Sequence, residues 1–312
     1  YSKRVAAMEA YLLENTMKLL EEPLSSDAWT LILLSSDELV HAKPFPGVEA
    51  QLHHMPLSRD ARVCKAEVRK DCLCGTVFTP RETKDGKPIA FGYLLTGKHL
   101  VVCDDSGVAH TYLKRLAKEK QHPKNNAGWL FCTLLEQLLL KDFHHIEEIE
   151  DQLGKLEDQV LAGSLDKFGP QLTEKRKETM KWFHYYAQLN DMVCELEEDE
   201  YDFFSVSEHQ QLRLLEKRIS RLQDGAQSLR EYCLQIRELF QAEVDIRQNR
   251  IMQILTVVTT LCLPLSLVAG WYGMNFRNMP ELHWQYGYPA VILVSVVIVI
   301  LCLVIMKKKK FL

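Results

Sequence analysis

Two uncharged apolar runs near the end of the sequence constrain this chain more than any other feature. From Ile251 to Phe276 no residue is charged, and from Leu282 to Met306 none is again. Each run is long enough to cross the roughly 30 Å hydrocarbon core of a bilayer as a helix. Backbone groups in hydrocarbon find no water to bond, so the runs are expected as two transmembrane helices, with the other residues outside the membrane. Arg247 and Arg250 precede the first run and Lys307 to Lys310 follow the second, against only Arg277 between them. The positive-inside rule therefore puts both flanks in the cytoplasm and the connecting loop outside, where Trp271, Tyr272, Trp284, Tyr286 and Tyr288 form an aromatic belt. Residues 1–20 carry charges throughout and lack an apolar h-region, so insertion is expected from the C-terminal end, into the plasma (inner) membrane.

A formal charge of -4 excludes a strongly basic nucleic-acid binder. Nine cysteines form no regularly spaced framework, and Cys262 and Cys302 lie inside the apolar runs, which reads as reduced thiols in a largely cytoplasmic chain. Residues 28–35 (AWTLILLS) and 91–103 (FGYLLTGKHLVVC) are short apolar stretches broken by turn residues, as strands are. With helices expected near residues 3–21 and 109–119, residues 1–125 form an α+β domain. After KQHPKNN, long amphipathic stretches at 127–161 and 172–199 predict an antiparallel helical hairpin over 126–206, turned by AGSLDKFGP. From Glu208 no proline occurs before Pro264. A stalk helix over 207–250 thus continues into a first span at 251–270, roughly 90 Å in all at 1.5 Å per residue. An outer loop at 271–288, a second span at 289–306 and a basic tail at 307–312 complete the chain. So long a helix needs company, from the helices before it and from copies of itself.

Chemistry-bearing patterns are sparse. GYLLTGKH, Gly92 to His99, has the spacing of a phosphate-cradling loop, but it lacks the Ser or Thr that would hold magnesium, and Tyr93 to Leu95 belong in a strand. It is expected as a hairpin turn at Thr96 to Lys98, with no nucleotide partner. Cys72 and Cys74, with Cys64 nearby, lack the second pair of a tetrahedral zinc site and are expected in a core or at an edge. His53-His54 and His144-His145 are adjacent pairs whose members point apart. No nucleophile, base and orienter can be assembled, so no enzyme is expected.

The first span is more informative. Asn249, Met252, Leu255 or Thr256, Thr259, Leu263, Ser266 and Gly270 recur at three- and four-residue steps and share one stripe. Small and hydroxylated residues on such a stripe serve either to pack helices or to line a pore. Two spans cannot enclose a path, so a pore requires several copies. Asp224, Glu231, Glu238 and Asp245 follow at steps of seven along the stalk. They form either a solvated face or, in a ring of copies, stacked acidic rings that concentrate cations.

The segment YGMNFRNMPELHWQYGYP, residues 272–289, resembles the signature of the CorA family of magnesium and cobalt channels, with Gly-Met-Asn at the outer end of the first of two C-terminal helices. MPEL and the trailing KKKKFL are similar as well. The resemblance is close from about residue 245 to 312 and general before that. It implies a funnel-shaped homopentamer in which Gly273, Met274 and Asn275 ring the outer mouth and the stalk helices lead into the pore. Mg2+ is then the transported ion and also a regulatory one, bound between cytoplasmic domains to close the channel. The sequence departs from the family where Leu263 stands in place of the common Met before Pro264, and Ser266 in place of Thr. Leu214, with Glu216 close by, falls near the place of the family's lower-stalk acid, so no named regulatory site carries over. The alternatives are a zinc transporter of the related ZntB type, against which MPEL weighs, and a membrane-anchored scaffold whose stripe only packs helices.

Overall fold

The computed structural model describes residues 9–13, 17–20, 28–41, 47–83, 86, 88–118, 126–164, 167–274, 279 and 284–308. The chain divides into two compact units: residues 1–158 with 166–236, and residues 159–165 with 237–312.

The first unit is built on a mixed sheet whose strands are β1 (Glu9–Leu13), β2 (Met17–Leu19), β3 (Thr30–Leu34), β4 (Lys65–Val68), β5 (Leu73–Glu82), β6 (Pro88–Leu95) and β7 (His99–Cys103). Their order is β2-β1-β3-β7-β6-β5-β4, with β3 and β7 parallel and the other neighbours antiparallel. The β3 sequence TLILL is buried at every position, as befits a strand covered on both faces. Ile32 and Leu34 join Cys72, Cys74, Leu94, Val101 and Cys103 on one side. On the other, Tyr93 stacks against Phe131 at 4.5 Å.

The helix expected over residues 3–21 is overturned where the chain is described: β1 and β2 stand there instead. Ala, Glu, Leu and Met favour helices on their own. Here Ala10 and Leu13 are buried, and the strand pairs with β3 through Tyr11 with Leu31 and Ala10 with Ile32, so tertiary pairing outweighs local preference. The exposed side keeps its polar chemistry, with Glu9 bound to Lys114 at 2.7 Å and to Tyr11 at 2.6 Å.

Seven helices are described: α1 (Ser36–Val40), α2 (Val108–Lys118), α3 (Ala127–Leu139), α4 (Asp142–Leu161), α5 (Phe168–Glu198), α6 (Val206–Tyr272) and α7 (Gly287–Lys308). The stretch at 127–161 is two helices rather than one, interrupted at Leu140 and Lys141. Their apolar faces point to different partners. α3 is buried against the sheet through residues such as Leu134, Leu135 and Leu139, whereas α4 packs on α5 and α6. Asp104 starts α2 by accepting from the backbone N–H groups of Ser106, Gly107 and His110 at 2.8, 3.0 and 3.1 Å. The starts of α3 and α6 are tied together. Asn126 accepts from the Trp129 N–H at 2.9 Å and donates to Glu208, which itself accepts from the Ser205 N–H at 2.7 Å. Gly128 leaves room for that carboxylate, since a Cβ there would sit 2.9 Å from Glu208 Oε2.

In α6 the buried residues Leu212, Leu215, Ile219, Leu222, Ala226, Leu229, Cys233 and Ile236 alternate three- and four-residue steps, the seam of a coiled-coil-like helix. α5 runs antiparallel beside it, with Glu197 bound to Arg213 and Phe183 under Arg230. α4 joins through Tyr232, which donates to Glu157. The seam answers the need for company in the residues up to Ile236.

Candidate functional site

The second unit contains α6 beyond Ile236 and α7. Both helices are long and apolar enough to cross a membrane. They run antiparallel, with the Cys302 thiol 3.9 Å from the Thr260 carbonyl and Leu265 beside Val291 and Ser295. That carbonyl is the one Pro264 leaves without its helical donor, because proline has no N–H, so a weak S–H donor from α7 approaches a group that hydrocarbon would otherwise strand. Sequence reading missed the pairing. Pro264 signals an orphaned carbonyl, but nothing in the order of residues names its partner.

On α6 the half-buried positions Val257, Leu261, Pro264, Leu265 and Val268 form the face toward α7, whose matching stripe is Val291, Ser295, Ile298, Val299 and Cys302. Asn249, Met252, Leu255, Thr256, Thr259, Leu263, Ser266 and Gly270 are exposed in this chain. At about 100° per residue the centre of that stripe lies roughly opposite the α7 face. Among the described residues, then, the stripe is left open: Leu263 is 74% exposed, and Met252 and Leu255 are each 57% exposed. The Thr256 hydroxyl donates to the Met252 carbonyl at 2.8 Å, and that of Thr259 to the carbonyl of Leu255 at 2.9 Å. Spending the hydroxyl hydrogen on the backbone leaves the oxygen lone pairs as acceptors on the exposed side.

At the end of α6, Gly273 donates to the Ala269 carbonyl at 2.9 Å, and a Cβ at Gly273 would sit 2.9 Å from that same oxygen. A glycine lets the last turn close tightly. Met274 follows with its side chain 45% exposed. Asn275, the third residue of the motif, lies outside the described residues, as do Arg277 and the Pro280, Glu281 and Leu282 of MPEL. Trp271 and Tyr272 end α6 while Trp284, Tyr286 and Tyr288 stand at the start of α7, all exposed, so the expected aromatic belt gathers at one end of the helical pair.

The four stalk acids are exposed. In the first unit, Glu231 accepts from the Gln227 side chain at 2.8 Å. In the second, Asp245 accepts from Gln241 at 3.5 Å. Among the described residues no group of three or more His, Cys, Asp or Glu side chains converges to hold a metal ion. Leu214 is 63% exposed.

The other motifs resolve into structure. GYLLTGKH is the β6–β7 hairpin, closed by the Thr96 N–H to the His99 carbonyl at 2.9 Å. Cys64, Cys72 and Cys74 are buried free thiols, and burial pushes the Cys72 thiol up to about 11. His53 and His54 are exposed on a 3-10 turn, while His144 points out to Glu147 and Glu148 and His145 stacks on Trp182 at 4.5 Å.

Comparison with known proteins adds the rest. The model of the CorA-like Mg2+ transporter protein family matches residues 51–308. The cobalt/magnesium transport protein CorA of Thermotoga maritima is 28% identical over 189 residues, 61% of this chain. The matched part is about half, 54%, of that relative's own length. Among solved structures, the complete CorA magnesium transporter from Methanocaldococcus jannaschii superposes with a TM-score of 0.81 at 20% identity, covering 98% of this chain and 99% of that one. The ZntB cytoplasmic domain from Vibrio parahaemolyticus gives 0.61 at 12% identity, covering 76% of this chain and 97% of that one. With the family model running from the sheet through both apolar helices, and a whole-chain fold shared with a solved member, this chain belongs to the CorA-like Mg2+ transporter protein family.

Proposed function

We propose that this chain is one subunit of a homopentameric channel in the plasma (inner) membrane, passing Mg2+, and with it Co2+ or Ni2+, into the cytoplasm, where both termini lie. The observation that carries this reading is the stripe from Asn249 to Gly270, polar and hydroxyl-bearing, on the face of α6 that α7 leaves open. Two helices enclose nothing, so the stripe acquires a role when copies bring it to a common axis. Membership of a Mg2+ transporter family supplies the cargo.

Mg2+ gives up its water reluctantly and prefers octahedral oxygen ligands. A mouth built from Gly273, Met274 and Asn275 would take the hydrated ion through carbonyl and carboxamide oxygens, which avoids the dehydration cost. A ring of carboxylates would hold the ion more tightly than conduction permits. Below it, Thr256, Thr259 and Ser266 offer hydroxyl oxygens to the ion's water shell, and Met252, Leu255 and Leu263 are apolar constrictions able to shut by dewetting. Asp224, Glu231, Glu238 and Asp245 would draw cations along the stalk, and internal Mg2+ bound among subunits would favour the closed state, provided it binds that state more tightly.

The deciding experiment is flux of Mg2+, Co2+ and Zn2+ into liposomes holding the purified protein, with and without a proton gradient, for the native chain and for Asn275→Ala. Mg2+ entry in the native protein and its loss in an Asn275→Ala oligomer of unchanged mass are the expected results. Wild-type flux in that variant would remove Asn275 from the mouth. Zn2+ entry dependent on the proton gradient would favour the zinc reading, and a monomer or dimer in detergent without flux the scaffold.

A further inference from the structure

Arg81 on β5, Asp142 at the first position of α4, and Trp182, Tyr185 and Tyr186 on α5 meet where helices cover the sheet. Asp142 Oδ1 is paired with Arg81 Nη2, and the Asp142 side chain is 1% exposed against 24% for the arginine. Arg81 also lies 5.7 Å from the Trp182 ring centre and donates to the Leu138 carbonyl at 3.5 Å. The second carboxyl oxygen, Oδ2, and the Tyr186 hydroxyl are both buried, and neither completes a hydrogen bond. Beside Asp142 is a cavity of about 20 Å³, whose polar lining is Thr79, Arg81, Tyr112, Asp142, Trp182 and Tyr185. That is room for about one water molecule. Ion passage uses none of these groups, which belong to the first unit.

We propose that Asp142 is a buried proton-binding site between Arg81 and Tyr186, and that its protonation state sets how α4 and α5 are held to the sheet. In the ionised state the carboxylate accepts from Arg81. Once protonated, the carboxyl gains an O–H to donate to a water in the cavity, and its bond with the guanidinium weakens to a charged-to-neutral one. Arg81 is not stranded by that protonation, because it is partly exposed and lies over Trp182.

The surroundings favour the proton. Burial holds the Asp142 carboxyl well above the usual carboxylate range, at about 6, although the Arg81 charge and the nearby Tyr186 hydroxyl pull it down. The phenols of Tyr185 and Tyr186 are raised by burial and by the Asp142 charge, so they stay neutral hydrogen-bonding groups. Across Trp182, His145 faces Glu178 at 3.6 Å and Glu148 at 3.4 Å, so the neighbouring imidazole has carboxylates of its own. An unfolded Asp titrates near 3.8, and the native unit therefore takes up a proton that the opened chain does not. The resulting stabilisation is full below the unfolded value and is lost as pH rises through about 6. Between pH 7 and pH 5 this amounts to about a tenfold shift toward the closed packing.

The test uses the full chain in detergent, as wild type, Asp142→Asn and Tyr186→Phe. Hydrogen exchange across the start of α4 and the middle of α5 is followed from pH 7 to pH 5, corrected for the intrinsic exchange rate, together with the infrared band of protonated carboxyl groups. The expected result is about tenfold more protection at the lower pH in the wild type than in Asp142→Asn. A carboxyl band titrating near pH 6 should be absent from that variant, and its midpoint should rise in Tyr186→Phe, which removes a hydroxyl that favours the carboxylate. Identical pH dependence in wild type and Asp142→Asn would overturn the assignment. Should Asp142→Asn not fold, the wild-type band and its response to Tyr186→Phe decide alone, and a band titrating only in the ordinary carboxylate range refutes it. The inference is independent of which ion the channel carries.

Discussion

Gly92 and Gly97 are the two glycines of GYLLTGKH, and replacing each by alanine should have opposite outcomes. Gly92 is buried in β6 between its pairing partners Thr76 and Cys103. A Cβ there would penetrate the Pro56 carbonyl oxygen and lie 3.1 Å from the Pro56 carbonyl carbon. That segment cannot step back freely, because two residues on the Ser58 hydroxyl donates to the Ala90 carbonyl at 2.9 Å and accepts from the Asp105 N–H at 3.1 Å. Relief needs a backbone shift of roughly 1 Å in a well-packed sheet, so Gly92→Ala should cost about 2–4 kcal/mol. In a unit of this size that lowers the melting temperature by roughly 10 °C. At Gly97 nothing lies within 4 Å of the added carbon, so Gly97→Ala should be neutral or slightly stabilising through the unfolded chain. Buried Cys72, Cys74 and Cys103 provide the assay: a thiol-reactive dye reads sheet opening against temperature, with the exposed Cys262 changed to Ser. If Gly92→Ala melts within about 2 °C of wild type, or Gly97→Ala falls as far as Gly92→Ala, the reasoning about close approach is wrong.

Two further outcomes follow from the helices. Leu222 is 1% exposed in the seam of α6, so Leu222→Ala should cost about 2–5 kcal/mol and raise hydrogen exchange in α4 to α6, whereas Leu214→Ala, at a 63% exposed position, should change little; equal effects would refute the seam. Cysteines at Thr259 and Ser266, in a background without native cysteines, should react with small water-soluble thiol reagents in the assembled protein while cysteines at Leu261 and Val268 are shielded by α7. The reverse pattern would put the polar stripe away from water.

Much of the architecture was legible because its causes are local. Uncharged length alone specifies the two apolar helices, since hydrocarbon tolerates no unpaired backbone. Thr96 to Lys98 between two apolar runs specifies a hairpin. The absence of proline from Glu208 to Leu263 allows the single helix α6, and Gly225 does not interrupt it. The seam itself, from Leu212 to Ile236, is a period that can be counted. Gly273 and Met274 were likewise found as a motif before the end of α6 gave them a place.

What only tertiary structure decided involves contacts between residues far apart in the chain. Residues 9–13 and 17–19 are strands because β3 offers a partner whose pairing outweighs their helical preference. The helix expected across 127–161 breaks at Leu140 because its two halves bury against different elements, a choice that an amphipathic pattern does not record. Counting residues finds two faces on the first span, but only the position of α7 shows that the small polar face is the one left open within the chain. Asp142 reads as an ordinary acid in a charged stretch. Its burial against Arg81, 61 residues earlier, is what turns it into a site, because desolvation depends on everything that folds around a carboxyl group and not on its neighbours in sequence.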